Sequence, residues 1–405
     1  MITGSRIRVL IVDDSAFMRK VLFSILAADP QMEVVGEARD GREGVAKAEQ
    51  LKPDVITMDI NMPHMDGLQA TEAIMSQNPR PIVIVSSESR EGADVTLKAL
   101  ELGAIDFVAK PSGGIDLDMN TVRDELVRKI RMSSKVRVVR TAVRTKLGQE
   151  IAASAPRTEP ASALVDKVQN SPTMAAPMAP PSLNPPRPVS NVGNSSGSMP
   201  AFGSRPSAKF PVVVLAASTG GPATLMKFVP SFPKGFQGAV ILVQHMPANF
   251  TAQFATQLQE VCGMRVKEAE GGEMLQQGTF YVCPGSHHLR ISPAGRVLLD
   301  DGPRINAYKP CADVTLETAA QFAGPMGISA ILTGMGNDGA KGAHAVKQYG
   351  GFVIAQDEAT SVIFGMPAEA IKLGVVDQIL PIESIYSAIE KRVLYIYGAA
   401  KVGAL

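Results

Sequence analysis

The chain reads as α/β throughout: two doubly wound, mostly parallel sheet domains joined by a disordered linker. Three observations predict this. Residues 6–131 alternate short apolar strand patterns with amphipathic helical ones, residues 133–208 lose that alternation, and from Phe210 it returns. The division expected is 1–132, 133–208 and 209–405. A chain of 405 residues exceeds one ordinary core, and 45% hydrophobic with 20% charged residues suits two.

The bulk numbers exclude several classes. A net charge of +1 gives no global drive toward nucleic acid or a membrane surface. Three cysteines, Cys262, Cys283 and Cys311, form no CxxC pair, so a disulfide framework or structural zinc is not expected and a reducing cytosol is. No apolar run has the length of a membrane span, and Met1–Arg8 does not read as a signal peptide. The expectation is a cytoplasmic protein without membrane insertion.

In the first domain the strand candidates are Ile7–Val12, Glu33–Glu37, Val55–Met58, Ile82–Val85 and Ile105–Val108. Ala16–Ala27, Gly67–Gln77 and Thr121–Arg131 supply helical patterns. Parallel doubly wound sheets carry their sites at the carboxyl ends of the strands. Polar residues fall there: Asp13 and Asp14 after the first strand, Asp59 after the third, Ser86 at the fourth, Lys110 after the fifth. Three carboxylates at one edge repel unless a cation intervenes, and carboxylates with a carbonyl are what Mg2+ takes. The simpler reading of any one Asp is a loop cap.

This half resembles the receiver domain of bacterial response regulators over residues 6–131. V-D-D-S at 12–15, M-D-I-N-M-P at 58–63 with D-G at 66–67, V-S-S at 85–87 and K-P at 110–111 carry the resemblance. It implies that Asp59 accepts a phosphoryl group and that Asp13, Asp14 and Asp59, with the Asn61 carbonyl, hold Mg2+. It further implies that Lys110 contacts the phosphoryl group, that Ser86 is the switch hydroxyl and that Phe107 is an aromatic that changes rotamer.

The linker follows. Arg128–Lys146 holds eight basic residues and no acidic one, and reads as a solvated helix end. Pro156–Pro211 carries 12 of the chain's 29 prolines, a composition that cannot offset the entropy of ordering. A loose coil of about 75 residues spans on the order of 45 Å.

The second domain opens on F-P-V-V-V-L-A-A-S-T-G-G-P at 210–222. A buried strand ends at Ser218, glycines follow, and Pro222 suits the first turn of a helix. That is the setting of a nucleophile elbow, with Ala216 where G-x-S-x-G has its first glycine. A phosphate-binding or tightly packed turn fits this stretch as well. The other strand candidates are Ala239–Gln244, Thr279–Val282, Ile328–Leu332, Phe352–Ala355 and Val375–Leu380, and Phe280–Leu299 reads as a hairpin insertion. Helical patterns cover Thr251–Leu258, Val314–Phe322, Ala340–Gln348 and Ile382–Val393. A nucleophilic serine needs a base. Of five histidines, His245 directly follows a strand as Ser218 does; His287 and His288 read as surface or substrate-facing, and His64 and His344 lie elsewhere. L-T-G-M-G-N-D-G at 332–339 delivers Asp338 to the same edge, where a carboxylate would orient the imidazole, and offers the Met335 amide to an oxyanion.

Residues 210–400 resemble the catalytic domain of the bacterial chemotaxis protein-glutamate methylesterases, the CheB family. The motifs are A-S-T-G-G at 217–221, Q-H-M-P at 244–247, V-K-E-A at 266–269, D-G-P at 301–303, L-T-G-M-G-N-D-G and F-G-M-P at 364–367. The resemblance implies a Ser218–His245–Asp338 triad with Thr219 and Met335 amides at the oxyanion hole and no cofactor in this domain. It implies a phosphorylation-activated hydrolase of glutamate γ-methyl esters, and of certain glutamines, on methyl-accepting chemoreceptors. A chemotaxis-type histidine kinase is the expected phosphodonor, the unphosphorylated receiver is expected to cover the site, and a monomer is expected. Two departures stand out: Ala216, which is expected to crowd the turn, and a linker longer than in enteric members. A non-catalytic binding module and a DNA-binding output are the other classes; no helix-turn-helix signal supports the second.

Overall fold

The structure is a computed structural model, and it describes residues 5–86, 90–110, 116–136 and 208–402. The basic run beyond Val136, the proline-rich tether up to Ser207, and Ser87 and Pro111 of the receiver motifs lie outside the described residues.

The N-terminal half is built on β1 (Ile7–Val12), β2 (Met32–Ala38), β3 (Val55–Met58), β4 (Ile82–Ser86) and β5 (Asp106–Ala109), all parallel, in the order β2-β1-β3-β4-β5. Between them run α1 (Ala16–Ala27), α2 (Gly41–Leu51), α3 (Gly67–Gln77) and α4 (Arg90–Glu101), and α5 (Asp116–Ser133) follows. Successive strand side chains point to opposite faces. Val9 and Ile11 join Leu22, Leu26, Leu126 and Ile130 on one face, while Leu10 and Val12 join Ile56, Met58, Ile84 and Phe107 on the other. Both faces are covered, which is why these strands read as continuous apolar runs. Asp66 starts α3 with a capping box shared with Gln69.

In the C-terminal half seven parallel strands stand in the order β14-β13-β12-β6-β7-β9-β8. They are β6 (Val212–Ala217), β7 (Ala239–Gln244), β8 (Arg265–Glu268), β9 (Thr279–Val282), β12 (Gly327–Ile331), β13 (Phe352–Gln356) and β14 (Gln378–Leu380). β10 (His288–Ile291) and β11 (Val297–Asp300) form a separate antiparallel pair. The helices are α6 (Gly221–Phe228), α7 (Ala248–Val261), α8 (Ala312–Ala323), α9 (Ala340–Gln348), α10 (Met366–Lys372) and α11 (Ile382–Val402). The expected hairpin is therefore shorter: β9 belongs to the main sheet and the hairpin begins at His288. β8 was not anticipated, because R-V-K-E offers one apolar residue to an edge strand. Ser133 ends α5 buried, and the Ala208 amide donates to the Phe322 carbonyl at 3.2 Å, so both flanks of the expected tether belong to the folded halves.

The described residues of the two halves form one compact unit. α4 packs on α6 and α7, and the apolar cluster behind Phe107 continues into the core around Phe250 and Phe254. Phe107 stacks on Phe250 with ring centroids 4.4 Å apart and planes 22° from parallel. Full burial of one such side chain stabilises by about 1.5–3 kcal/mol.

Candidate active site and acidic pocket

In the first sheet β1 and β3 flank the point where strand order reverses, the place such sheets bind ligands. Asp13 and Asp14 follow β1 and Asp59 follows β3; their carboxylate oxygens lie within 4.8 Å of one another. Asp13 and Asp59 are buried, Asp14 and Asn61 exposed. Lys110 Nζ sits 2.8 Å from Asp59 Oδ2 and 2.9 Å from Asp13 Oδ2. The Asp13 oxygen makes no directed hydrogen bond, so that charge is its compensation. Burial pushes the Asp59 carboxyl above its usual range, against the pull of Lys110 and of the Ile60 amide. Burial also disfavours the Lys110 ammonium, but contact with Asp59 and Asp13 outweighs it and holds its pKa above the ordinary value. Crowded, partly uncompensated carboxylates suit a hard divalent cation with oxygen ligands, so the donor set fits Mg2+. Ser86 is buried at the end of β4, with the Gly92 carbonyl 3.5 Å from its hydroxyl.

In the second sheet β6 lies between β7 and β12, again at the reversal. Ala217 pairs with Gln244, so Ser218 and His245 are the next residues on adjacent strands, about 4.8 Å apart in backbone spacing. On the other side the Ser218 amide donates to the Thr333 carbonyl at 3.0 Å, which anchors the loop that ends in Asp338. His245 Nε2 is 2.7 Å from Asp338 Oδ2. The other ring nitrogen, Nδ1, is buried without a hydrogen-bond partner among the described residues, so it is not bonded to the Ser218 hydroxyl.

Asp338 is nearly fully buried and accepts from several donors. Ala312 and Asp313 amides at the start of α8 reach it at 2.7 and 2.9 Å, the Gly339 amide at 3.0 Å and the Cys311 thiol at 3.1 Å. Burial favours its neutral form, but His245 and the amides outweigh this and hold its pKa below the usual carboxylate value. A helix N-terminus adds in the same direction. The Cys311 thiol, pressed by burial and by Asp338, is pushed up to about 12.

Glycines permit the close approaches. A Cβ on Gly334 would stand 2.2 Å from Met366 Sδ and 2.8 Å from Ser218 Cβ; Gly220 has φ +74° at the start of α6. Neither the Thr219 nor the Met335 amide donates to a group among the described residues, which leaves both free for an anion. Ala216 does not crowd the turn. It lies inside β6, paired with Val243 and Ile331, with its methyl in the core.

The receiver half walls this cleft. Glu125, Arg128 and Lys129 of α5 line a cavity of about 260 Å³ together with Ser218, Thr219, His245, Arg304, Tyr308 and Met335. Thr219 Oγ1 donates to Asp106 Oδ2 at 2.5 Å. Asp106 in turn pairs with Lys129 at 3.0 Å, and Lys129 pairs with Glu125 at 2.9 Å. Burial opposes both charges, yet Asp106 and Glu125 hold the Lys129 pKa high and Lys129 holds that of Glu125 low. The solvated reading of the basic run is thus corrected for Lys129, which is buried. His288 is corrected too: it is fully buried, its Nε2 3.0 Å from the Pro303 carbonyl.

Sequence reasoning missed the braces of the site. Gln244 Nε2 donates to the Ser218 carbonyl at 2.9 Å and the His245 carbonyl at 3.2 Å, while Gln356 accepts from the Thr333 amide at 2.7 Å. Each ends a strand, and Gln244 directly precedes His245, which was the available signal.

A receiver-type sheet with an acidic pocket, packed on a second sheet that gathers Ser, His and Asp at one edge, defines a regulatory module joined to a hydrolase-like α/β module. Comparison with known proteins narrows this. Residues 213–389 match the CheB methylesterase family and residues 9–121 the response regulator receiver domain. The chain is 39% identical over 407 residues to the protein-glutamate methylesterase/protein-glutamine glutaminase of Pyrococcus abyssi, covering 99% of this chain and 98% of that one. It is 41% identical over 382 residues to that of Thermotoga maritima, covering 94% and 96%. It is also similar to the crystal structure of the Thermotoga maritima CheB methylesterase catalytic domain, at 42% identity and TM-score 0.44, over 45% of this chain and 99% of that one. The chain belongs to the CheB family of protein-glutamate methylesterases/protein-glutamine glutaminases.

Proposed function

We propose that residues 209–405 hydrolyse glutamate γ-methyl esters on the cytoplasmic helices of methyl-accepting chemoreceptors, and deamidate certain receptor glutamines, under control of the receiver at 1–132 through the linker 133–208. The observation that carries this reading is the convergence of Ser218, His245 and Asp338 at one sheet edge, with His245 Nε2 2.7 Å from Asp338 and Nδ1 without a hydrogen-bond partner among the described residues.

Ser218 Oγ attacks the ester carbonyl carbon while His245 Nδ1 takes its proton. The tetrahedral oxyanion forms against the Thr219 and Met335 amides. Its collapse breaks the bond to methoxide, which leaves as methanol with the proton from His245. Water, losing a proton to His245, then attacks the acyl-enzyme; the serine departs with that proton and glutamate remains. Asp338 holds the Nε2–H edge throughout. With glutamine the first leaving group is ammonia.

Regulation runs through Asp59, phosphorylated by a chemotaxis-type histidine kinase. Asp13, Asp14, Asp59 and the Asn61 carbonyl would hold Mg2+, which when bound offsets the charge of the carboxylate and phosphoryl oxygens. Lys110, freed from Asp59, turns to the phosphoryl group, and Ser86 and Phe107 shift with it. A cavity of about 260 Å³ cannot admit a receptor helix about 10–12 Å across, so the docked receiver excludes substrate. Phe107 stacks on the catalytic half, so its movement undoes docking. The setting is cytoplasmic and the working form a monomer; among the described residues no helix is long and apolar enough to cross a membrane.

A fluorophosphonate probe tests the assignment. Labelling of Ser218 that is lost in Ser218→Ala is expected; a wild-type chain that never labels, even with phosphodonor, points to a binding module instead.

A further inference from the structure

The wall that the catalytic half gives to the hydrolytic cleft carries two cations, Arg304 and Lys309, and no carboxylate among the described residues. Lys309 is already committed: its Nζ lies 2.9 Å from Asp301 Oδ1 and donates to the Asp301 carbonyl at 3.2 Å. Arg304 is exposed and makes no hydrogen bond or ion pair among the described residues.

The turn that follows Arg304 fixes its place. Ile305 and Tyr308 exchange amide-to-carbonyl hydrogen bonds of 3.0 and 2.9 Å, and Asn306 and Ala307 between them have φ of 51° and 70°. Positive φ at both central residues is what a two-residue hairpin turn needs, and alanine seldom adopts it. The turn abuts the triad, the Tyr308 ring lying 4.4 Å from that of His245. Arg304 is thereby held at the rim of the cleft.

In the docked chain this cation shares the cleft with a carboxylate on a helix, Glu125 of α5. Burial disfavours the Glu125 carboxylate, but Lys129, then Arg128 and Arg304, outweigh burial and hold its pKa below the ordinary value. Glu125, Arg128 and Lys129 all belong to the receiver and leave the cleft with it. Arg304 stays behind, a cation with no carboxylate opposite. The substrate that then enters is also a helix bearing glutamyl side chains. Helical residues three or four apart have Cβ atoms about 5–6 Å from each other. A carboxylate one turn from the ester therefore comes within reach of a guanidinium at the rim, whose planar fork of donors suits it.

We infer that Arg304 is a specificity-determining residue, binding a carboxylate one turn from the ester on the substrate helix, in the place Glu125 holds in the docked chain. The inference deepens the hydrolase reading above and rests on it. A contact to a group remote from the reacting carbonyl is made equally in ground and transition states, so it acts on KM.

The test is methanol release by the full chain from methylated receptor membranes, with acetyl phosphate and Mg2+, resolved into kcat and KM at low and high salt. Arg304→Gln is expected to raise KM about 3- to 10-fold and Arg304→Glu about 10- to 100-fold, both with kcat within about twofold of wild type. Arg304→Lys should keep KM within about threefold, and high salt should shrink every difference. An uncharged fluorophosphonate should label Ser218 in all these variants within about twofold of the wild-type rate. Arg265→Gln, which removes an exposed charge at the amino end of β8, controls for general attraction to an anionic membrane. An unmoved KM in Arg304→Glu, a fall in kcat or labelling beyond about twofold, or an equal rise in KM in Arg265→Gln overturns the inference. A wild type that neither releases methanol nor labels sinks the hydrolase reading and the inference with it, whereas an active wild type with an unaffected Arg304→Glu sinks the inference alone.

Discussion

Thr219 and Asp106 are joined across the packing of the two halves: the Thr219 hydroxyl donates to Asp106 Oδ2 at 2.5 Å. One neighbour of this pair is Ser218, the proposed nucleophile, and the other is Phe107, the aromatic stacked on Phe250. The residue whose amide is proposed for the oxyanion is thus held through its side chain by the receiver. β5 ends at Ala109, so the strand carrying Asp106 and Phe107 also delivers Lys110 to Asp59. One short strand connects the acidic pocket to the hydrolytic cleft.

Asp106→Asn should raise the activity of the unphosphorylated chain. The substitution removes the charge that pairs with Lys129 at 3.0 Å and weakens the acceptor for Thr219. A hydrogen bond to a charged group contributes about 1.5–3 kcal/mol, and about 1.4 kcal/mol of lost docking is tenfold in the open population. Methanol release without phosphodonor is expected to rise about tenfold. Unchanged basal release would count against docking through this pair.

Chelation should separate the two halves functionally. Adding EDTA to the full chain is expected to abolish the response to acetyl phosphate and leave basal methanol release unchanged, because the Ser218 cleft contains no part of the acidic pocket. Loss of basal release on chelation would place a metal requirement in the hydrolytic half.

Asp338 is expected to set both rate and acid stability. Asp338→Asn should lower kcat by about 10³–10⁴-fold, since the imidazole loses the carboxylate that fixes it. The folded-state pKa of Asp338 lies below the ordinary value. Its stabilisation is therefore complete above about pH 4 and fades as pH falls through the lowered value. The difference in Tm between wild type and Asp338→Asn should hold at about pH 5 and shrink toward pH 3. A difference that grows on acidification would show the shift to have the opposite sign.

Much of this arrangement was legible because parallel sheets place sites by register. Ser218 and His245 each follow an apolar run, and pairing of Ala217 with Gln244 brings them side by side. The acidic pocket was legible for the same reason. What eluded the sequence depends on partners far along the chain. Lys129 sits in a basic run that looks solvated, but it is buried and paired with Asp106 on β5, outside its own helix. His288 looked exposed in a turn, yet β10 begins there and buries it with Leu289, while His287 just before the strand stays half-buried. Tyr308 carried no motif at all; only a strained turn brings it to His245.

The most direct measurement is methanol release from methylated receptor membranes by wild type, Ser218→Ala and Asp59→Ala, each with and without acetyl phosphate and Mg2+. Wild type is expected to release methanol and to accelerate with phosphodonor, Ser218→Ala to release none above background, and Asp59→Ala to keep the basal rate without the response. Wild-type release indifferent to phosphodonor, or near-normal release by Ser218→Ala, would contradict the proposed function.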